Sequence, residues 1–279
     1  MKNMRRQTGL SKLIHALAAA LLASMTCATA AAAGCPRKDA LNTARVLAVD
    51  AATTPRVGLK SFPQTLPLGD HEVVLTFDDG PWPPTTRRVL AALARECVRA
   101  TFFLIGKSAS AHPDLVRRIA AEGHSIGHHT WSHPSLARIP ADQAVEQINR
   151  GIAADEMALH GVATTTPSTP FFRFPGFEST PATLDLLQSR GIVVFGADLW
   201  ASDWDPMTPK QELKLITDRL ENAHKGIILL HDSKARTAAM LPAFLRYLRD
   251  HHYRVVHLVS AAPGARAGLT PKPANKTPN

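Results

Sequence analysis

The sequence predicts an α/β fold: a parallel sheet with helices packed outside it. Two observations carry that expectation. From Glu72 onward, strand and helix signals alternate about six times, the pattern of a parallel sheet whose crossovers are helices. Several strand candidates, such as IVVFGA and IILL, are apolar throughout, as strands covered on both faces must be. A barrel and an open doubly wound sheet both satisfy this pattern. The chain has no G-x-G-x-x-G and no G-x-x-x-x-G-K, so a nucleotide site has no support.

The elements follow in order. Residues 72–77 are apolar and β-branched and read as a strand. A helix is expected over 84–97, with Pro84 at its start and Val89, Leu90 and Leu93 apolar. Residues 100–106, ATFFLIG, form a short apolar strand, and a helix over 113–122 is closed by Gly123. A longer amphipathic helix over 142–160 is closed by Gly161. Then come a strand over 171–174, a helix over 181–190 ended by Gly191, and a strand over 192–197. A helix over 209–223, a strand over 226–230, a helix over 238–250 and a strand over 253–258 complete the series. Residues 34–70 contain prolines and are weakly periodic, and are expected to be an extension packed on a domain spanning 71–260. Residues 261–279 are basic and poor in apolar side chains, and are expected to be disordered.

The first 33 residues have a different character. Lys2, Arg5, Arg6 and Lys12 form a basic head, residues 13–25 an apolar run, and ATAAAAG a small-residue exit. This is the layout of a secretory signal peptide cleaved near Ala31 to Ala33. The competing reading is a membrane anchor, but the run is too short and too rich in alanine to span. Export to the periplasm, the cell envelope or the medium is therefore expected. Of the formal charge of +9, the leader holds four cations and no acid, and the tail adds Arg266, Lys272 and Lys276. The folded part is left near +2, which gives no support for a nucleic-acid partner. Cys27 falls in the leader. Cys35 and Cys97 remain as an even pair in an oxidising compartment, and a disulfide between them is expected; two free buried thiols are the competing reading.

Polar residues gather at the predicted strand ends. Asp78 and Asp79 follow the first strand, and His129 and His133 lie in GHHTWSH. Arg173 lies in FFRFPGF, Asp203 in DLWASDW, and His231 and Asp232 end IILLHD. In parallel α/β folds the C-terminal strand ends build the site, so five segments delivering ionisable groups there point to chemistry. H-x-x-x-H is a common metal-ligand spacing, but Thr130, Trp131 and Ser132 favour a loop over a helix, and surface histidines often share that spacing. Arg173 in an apolar run needs a carboxylate partner; a structural ion pair would satisfy that too. Asp203 and His231 are either functional or an incidental pair. Asp205 and Asp232 read as loop or capping residues, His128 as a residue behind the ligands or a solvated one. His124, His251 and His252 read as surface residues.

The segments TFDDGP, HTWSH, RFPG, SDW and LLHD, in that order over residues 72–258, resemble the five motifs of the polysaccharide deacetylase family, the NodB-homology or carbohydrate esterase family 4 domain. The resemblance implies a distorted, incomplete (β/α) barrel. It implies removal of acetyl groups from N-acetylglucosamine-type sugars, in a peptidoglycan, chitin-oligomer or exopolysaccharide context. By the same resemblance, Asp79, His129 and His133 would hold one divalent ion, first Zn²⁺, with Co²⁺, Ni²⁺ or Mn²⁺ as alternatives. Asp78 would be the general base, Arg173 would hold it as an anion with a lowered pKa, and His231 would be the general acid. Asp203, rather than Asp198, would orient that histidine, because Trp204 follows it as in the motif. The Gly176 N–H would help form the oxyanion hole, where family members often carry an aromatic residue. Trp204 is a substrate-lining candidate, although packing is the favoured reading for it and for Trp131. The rival functions are an O-acetyl esterase on a polymer such as xylan and a glycan-binding module without turnover. A metallopeptidase finds no H-E-x-x-H.

Overall fold

The computed structural model describes Cys35 and residues 37–261. The expected leader, and all of the expected tail but Ala261, lie outside those residues.

Ten strands form one sheet, and every pairing among the described residues is parallel. Two of them come from the segment expected to be an extension: β1 (Thr43–Val49) and β2 (Arg56–Val57). The sheet is centred on β3 (Glu72–Asp78), which is buried along its whole length. From it the order runs through β4 (Thr101–Leu104), β5 (Ser125–His128), β6 (Phe171–Phe172) and β7 (Val193–Phe195). On the other side of β3 lies β9 (Gly226–His231), flanked by β8 (Leu199–Trp200). The last strand, β10 (Arg254–Ser260), pairs with β1 along its length and with β3 only at Arg254 and Val255.

This arrangement is an unclosed barrel, since β7 and β8 do not pair among the described residues. The segment after β1 lies at that gap. β2 pairs with β7, and the Asp198 carboxylate accepts from Leu59 N (2.8 Å), Thr65 Oγ1 (2.6 Å) and Ile227 N (2.8 Å). Lys60 N donates to the Ala197 carbonyl at 2.8 Å. Gly58 is required here: at φ +109°, a β-carbon would sit 2.5 Å from the Gly196 backbone. The pair of β1 and β10 floors the barrel at the N-terminal strand ends. Val49, Val256 and Leu258 pack there with Val74, Phe103, Phe171, Phe195 and Ile227 in one core.

The helices cover the outside. They are α1 (Thr85–Arg95), α2 (Gly106–Ala111), α3 (Pro113–Ala121), α4 (Ala141–His160), α5 (Pro181–Ser189), α6 (Pro209–Ala223) and α7 (Ala235–Asp250). Two starts are written in the sequence: Thr180 and Thr208 each close a capping box and are followed by proline. The expected glycine stops at Gly123, Gly161 and Gly191 all take positive φ. No described helix is long and apolar enough to cross a membrane.

Five elements were not legible as such: β1, β2, α2, β5 and β8. In β1, exposure alternates because the strand lies at the sheet edge, with Arg45 turned to Glu72 at 2.7 Å. In β5 the SIGH sequence has poor strand propensity, but Gly127 is needed there, since a β-carbon would meet the Phe103 ring at 2.6 Å. The expected disulfide is present, Cys35–Cys97, with 5.8 Å between α-carbons.

Candidate active site

Asp78 closes β3, and Asp79 follows at φ +75°, a left-handed conformation that turns the chain between the two carboxylates. Their side chains therefore serve different partners. Asp78 Oδ1 accepts from Arg173 at 2.7 Å. That guanidinium is fully buried; it also donates to Thr76 Oγ1 (2.9 Å) and the Gly196 carbonyl (2.8 Å), and lies over the Phe103 ring. Burial pushes the Asp78 carboxyl up, and the charges of Arg173 and His231 pull against it without overcoming it. The lowering by Arg173 expected from the sequence is present, and the low-dielectric setting outweighs it.

Asp79 Oδ1 lies 3.3 Å from His133 Nε2 and 3.7 Å from His129 Nε2. The ligand atoms of these three residues fall within 4.8 Å of one another. His129 Nδ1 is 2.7 Å from the Arg173 carbonyl, which only accepts, so that nitrogen carries the proton and Nε2 offers its lone pair. Burial, then the neighbouring His133, lowers the His129 pKa to about 3, keeping it neutral as a ligand must be. HTWSH is a loop, with Thr130 and His133 at positive φ, as the intervening residues suggested.

A third pair completes the mouth. The Asp203 carboxylate accepts from both the backbone N and the Nδ1 of His231, each at 2.7 Å, and from Thr237 Oγ1 at 2.8 Å. Burial alone would lower the His231 pKa; the hydrogen bond and charge of Asp203, with Asp78 and Asp79 nearby, push it up to about 9. His231 Nε2 then faces Asp79 Oδ2 at 4.0 Å. Asp198, the competing partner, is engaged with residues 59–65 and β9 instead.

These groups share one cavity of about 440 Å³, lined by Asp78, Asp79, His129, His133, His231 and Gly176. Gly176 sits at φ +58°, and a β-carbon there would make ordinary contact with the Glu178 side chain at 3.8 Å. A larger groove of about 770 Å³ elsewhere holds none of the candidate site residues. Trp204 is 47% exposed, lines the cavity and meets His231 edge-on, so the packing reading is corrected for it. Trp131 instead lies under the Arg150 guanidinium. His128 is buried behind the candidate ligands, its Nδ1 2.7 Å from Asp155. Asp232 lies in the turn after β9, as a loop residue, while the surface reading of His124 fails. Asp232 is fully buried, accepting from Thr86 Oγ1 at 2.5 Å, and burial raises its pKa to about 7. His124 is also buried, accepting from Ala100 N at 3.1 Å. Lys60, Trp200, Phe177 and Lys234 also line the cavity. Trp200 and Phe177 adjoin the motifs; Lys60 comes from the extension and carried no sequence signal.

Asp79 Oδ1 is a buried oxygen with no hydrogen-bond partner among the described residues, and two imidazole nitrogens face it. An unpartnered buried carboxylate oxygen beside two lone pairs fits a cation and little else. The polysaccharide deacetylase family model matches residues 66–195. Chitooligosaccharide deacetylase from Azorhizobium caulinodans is 34% identical over 161 residues, covering 57% of this chain and 73% of that one. Peptidoglycan-N-acetylglucosamine deacetylase from Bacillus cereus is 35% identical over 167 residues, 60% of this chain and 58% of that one. Among solved structures, the Bdellovibrio bacteriovorus peptidoglycan deacetylase Bd3279 superposes with a TM-score of 0.70 at 29% identity, covering 83% of this chain and 64% of that one. The chain thus spans less than two thirds of the last two relatives, while matching most of the first. An unclosed parallel barrel, a His/Asp cation cluster at its mouth and this degree of likeness together place the chain in the polysaccharide deacetylase family.

Proposed function

We propose that the protein is an exported, metal-dependent hydrolase that removes N-acetyl groups from N-acetylglucosamine-containing poly- or oligosaccharides. The carrying observation is the Asp79–His129–His133 cluster sharing one cavity with the Asp78–Arg173 and His231–Asp203 pairs. Asp79, His129 and His133 hold the ion, with zinc the first choice for a His₂Asp set that leaves positions open. When bound, the ion supplies Lewis acidity to a water molecule and to the acetyl carbonyl.

The protein's own groups do the rest. Asp78 takes a proton from the attacking water. Arg173 fixes that carboxylate in place. The Gly176 N–H donates to the oxygen that becomes negative as water adds to the acetyl carbon; removing such a donor costs about 3 kcal/mol of transition-state stabilisation. His231, protonated at neutral pH, gives its proton to the sugar nitrogen as the C–N bond breaks, and acetate and a free amine leave. Asp203 holds the imidazolium in orientation. Trp204 lies where a sugar ring can rest.

The test is acetate release from a panel of N-acetylated and O-acetylated glycans, with and without chelator. Chelator-sensitive release from N-acetylated members is expected; release only from O-acetyl esters, or none, would overturn the reading. Asp78→Asn should retain the ion and lose about 10²–10⁴ in turnover.

A further inference from the structure

Resting on the deacetylase reading above, the geometry points to an anion subsite beside the reacting centre, formed by Lys60 and Lys234, that takes a carboxylate carried by the glycan. Both lysines line the same cavity as the cation cluster and His231. Neither makes an ion pair or a side-chain hydrogen bond among the described residues, whereas Asp78 is paired with Arg173 and Asp79 faces the two imidazoles of the candidate cation cluster. Lys60 Nζ instead sits 4.9 Å from the centroid of the Trp200 ring, which also lines the cavity.

The placement of Lys60 is built rather than incidental. Its backbone N donates to Ala197 and its neighbour Leu59 to Asp198, so the segment after β2 is fastened over the gap of the barrel. Lys60 lies before residue 66, where the match to the family model begins, and Lys234 lies after residue 195, where it ends. The cations are therefore contributed from outside the matched segment. A neutral acetamido sugar needs neither of them. A sugar bearing a carboxylate on the same or the adjacent ring does, and unpaired lysines at a concave mouth attract it before contact. Trp200, which Lys60 Nζ faces, and Trp204 line the same cavity and offer apolar surface to a sugar ring whose substituent is charged.

The test uses one N-acetylated glycan in two forms, with free carboxylates and with those carboxylates reduced to alcohols. The wild type should have a kcat/KM about tenfold higher on the carboxylated form, a preference that shrinks at high salt. Lys60→Gln and Lys234→Gln should each lower that ratio several-fold, and the double variant should bring it near one; Lys60→Arg should keep most of it. A wild-type ratio of one, or a ratio unmoved by the double substitution, would overturn the subsite while leaving the deacetylase reading intact. No acetate from either form would overturn both.

Discussion

Asp78 and Asp79 are neighbours in the chain, yet one points at a guanidinium and the other at two imidazoles. The left-handed backbone at Asp79 produces that divergence. The sequence displayed the two carboxylates but not which environment each would enter. The motifs made the identity of the partners legible; the direction of the Asp78 pKa was not, because burial is a property of the assembled barrel. Arg173 shows how much rests on one residue. It is fully buried and ties Asp78 to the end of β7 through the carbonyls of Phe195 and Gly196. Arg173→Met should lower stability by about 3–5 kcal/mol in urea unfolding, since it leaves Asp78 buried without its cation. A loss under 1 kcal/mol would mean that the pair is not the anchor described here. His124 was misjudged because a lone polar residue beside a glycine looks solvated until the tertiary cover is known.

At the scale of elements, apolar strands and helices with glycine stops were readable, because propensity and environment agree in them. The strands that were missed are those in which they disagree. β5 pairs a glycine and a histidine with a position that only a small residue fits. Just before it, His124 is held neutral, its pKa lowered to about 3 by burial, then by the charges of His257 and Arg99. A base whose pKa is depressed on folding costs nothing above its unfolded pKa of about 6.5, and stability is lost steadily as pH falls from there toward the folded value of about 3. The wild type should therefore lose about 2 kcal/mol from this group alone between pH 7 and pH 5. His124→Gln should show a correspondingly smaller loss in urea midpoints over that window. Equal acid sensitivity in the two proteins would contradict the buried neutral histidine.

For the whole molecule, the alternation of strand and helix could not separate an open sheet from a barrel. That choice depends on which strands pair, and here the answer involves β1, β2 and β10, whose pairings link residues far apart in the chain. The N-terminal segment is part of the sheet and of the cavity wall, not a covering. The Cys35–Cys97 bridge ties its start to the end of α1 across 62 residues. Reduction should cost about 2–4 kcal/mol in denaturant stability, read as a fall in urea midpoint with reductant. An unchanged midpoint would mean that the β1 pairing alone secures the segment. The proposed catalysis depends on the mouth of this barrel gathering Asp79, His129 and His133 around one ion. The most direct measurement is zinc bound per chain at equilibrium dialysis, wild type against Asp79→Ala. A difference of one equivalent is expected; equal zinc content in the two proteins would contradict the account.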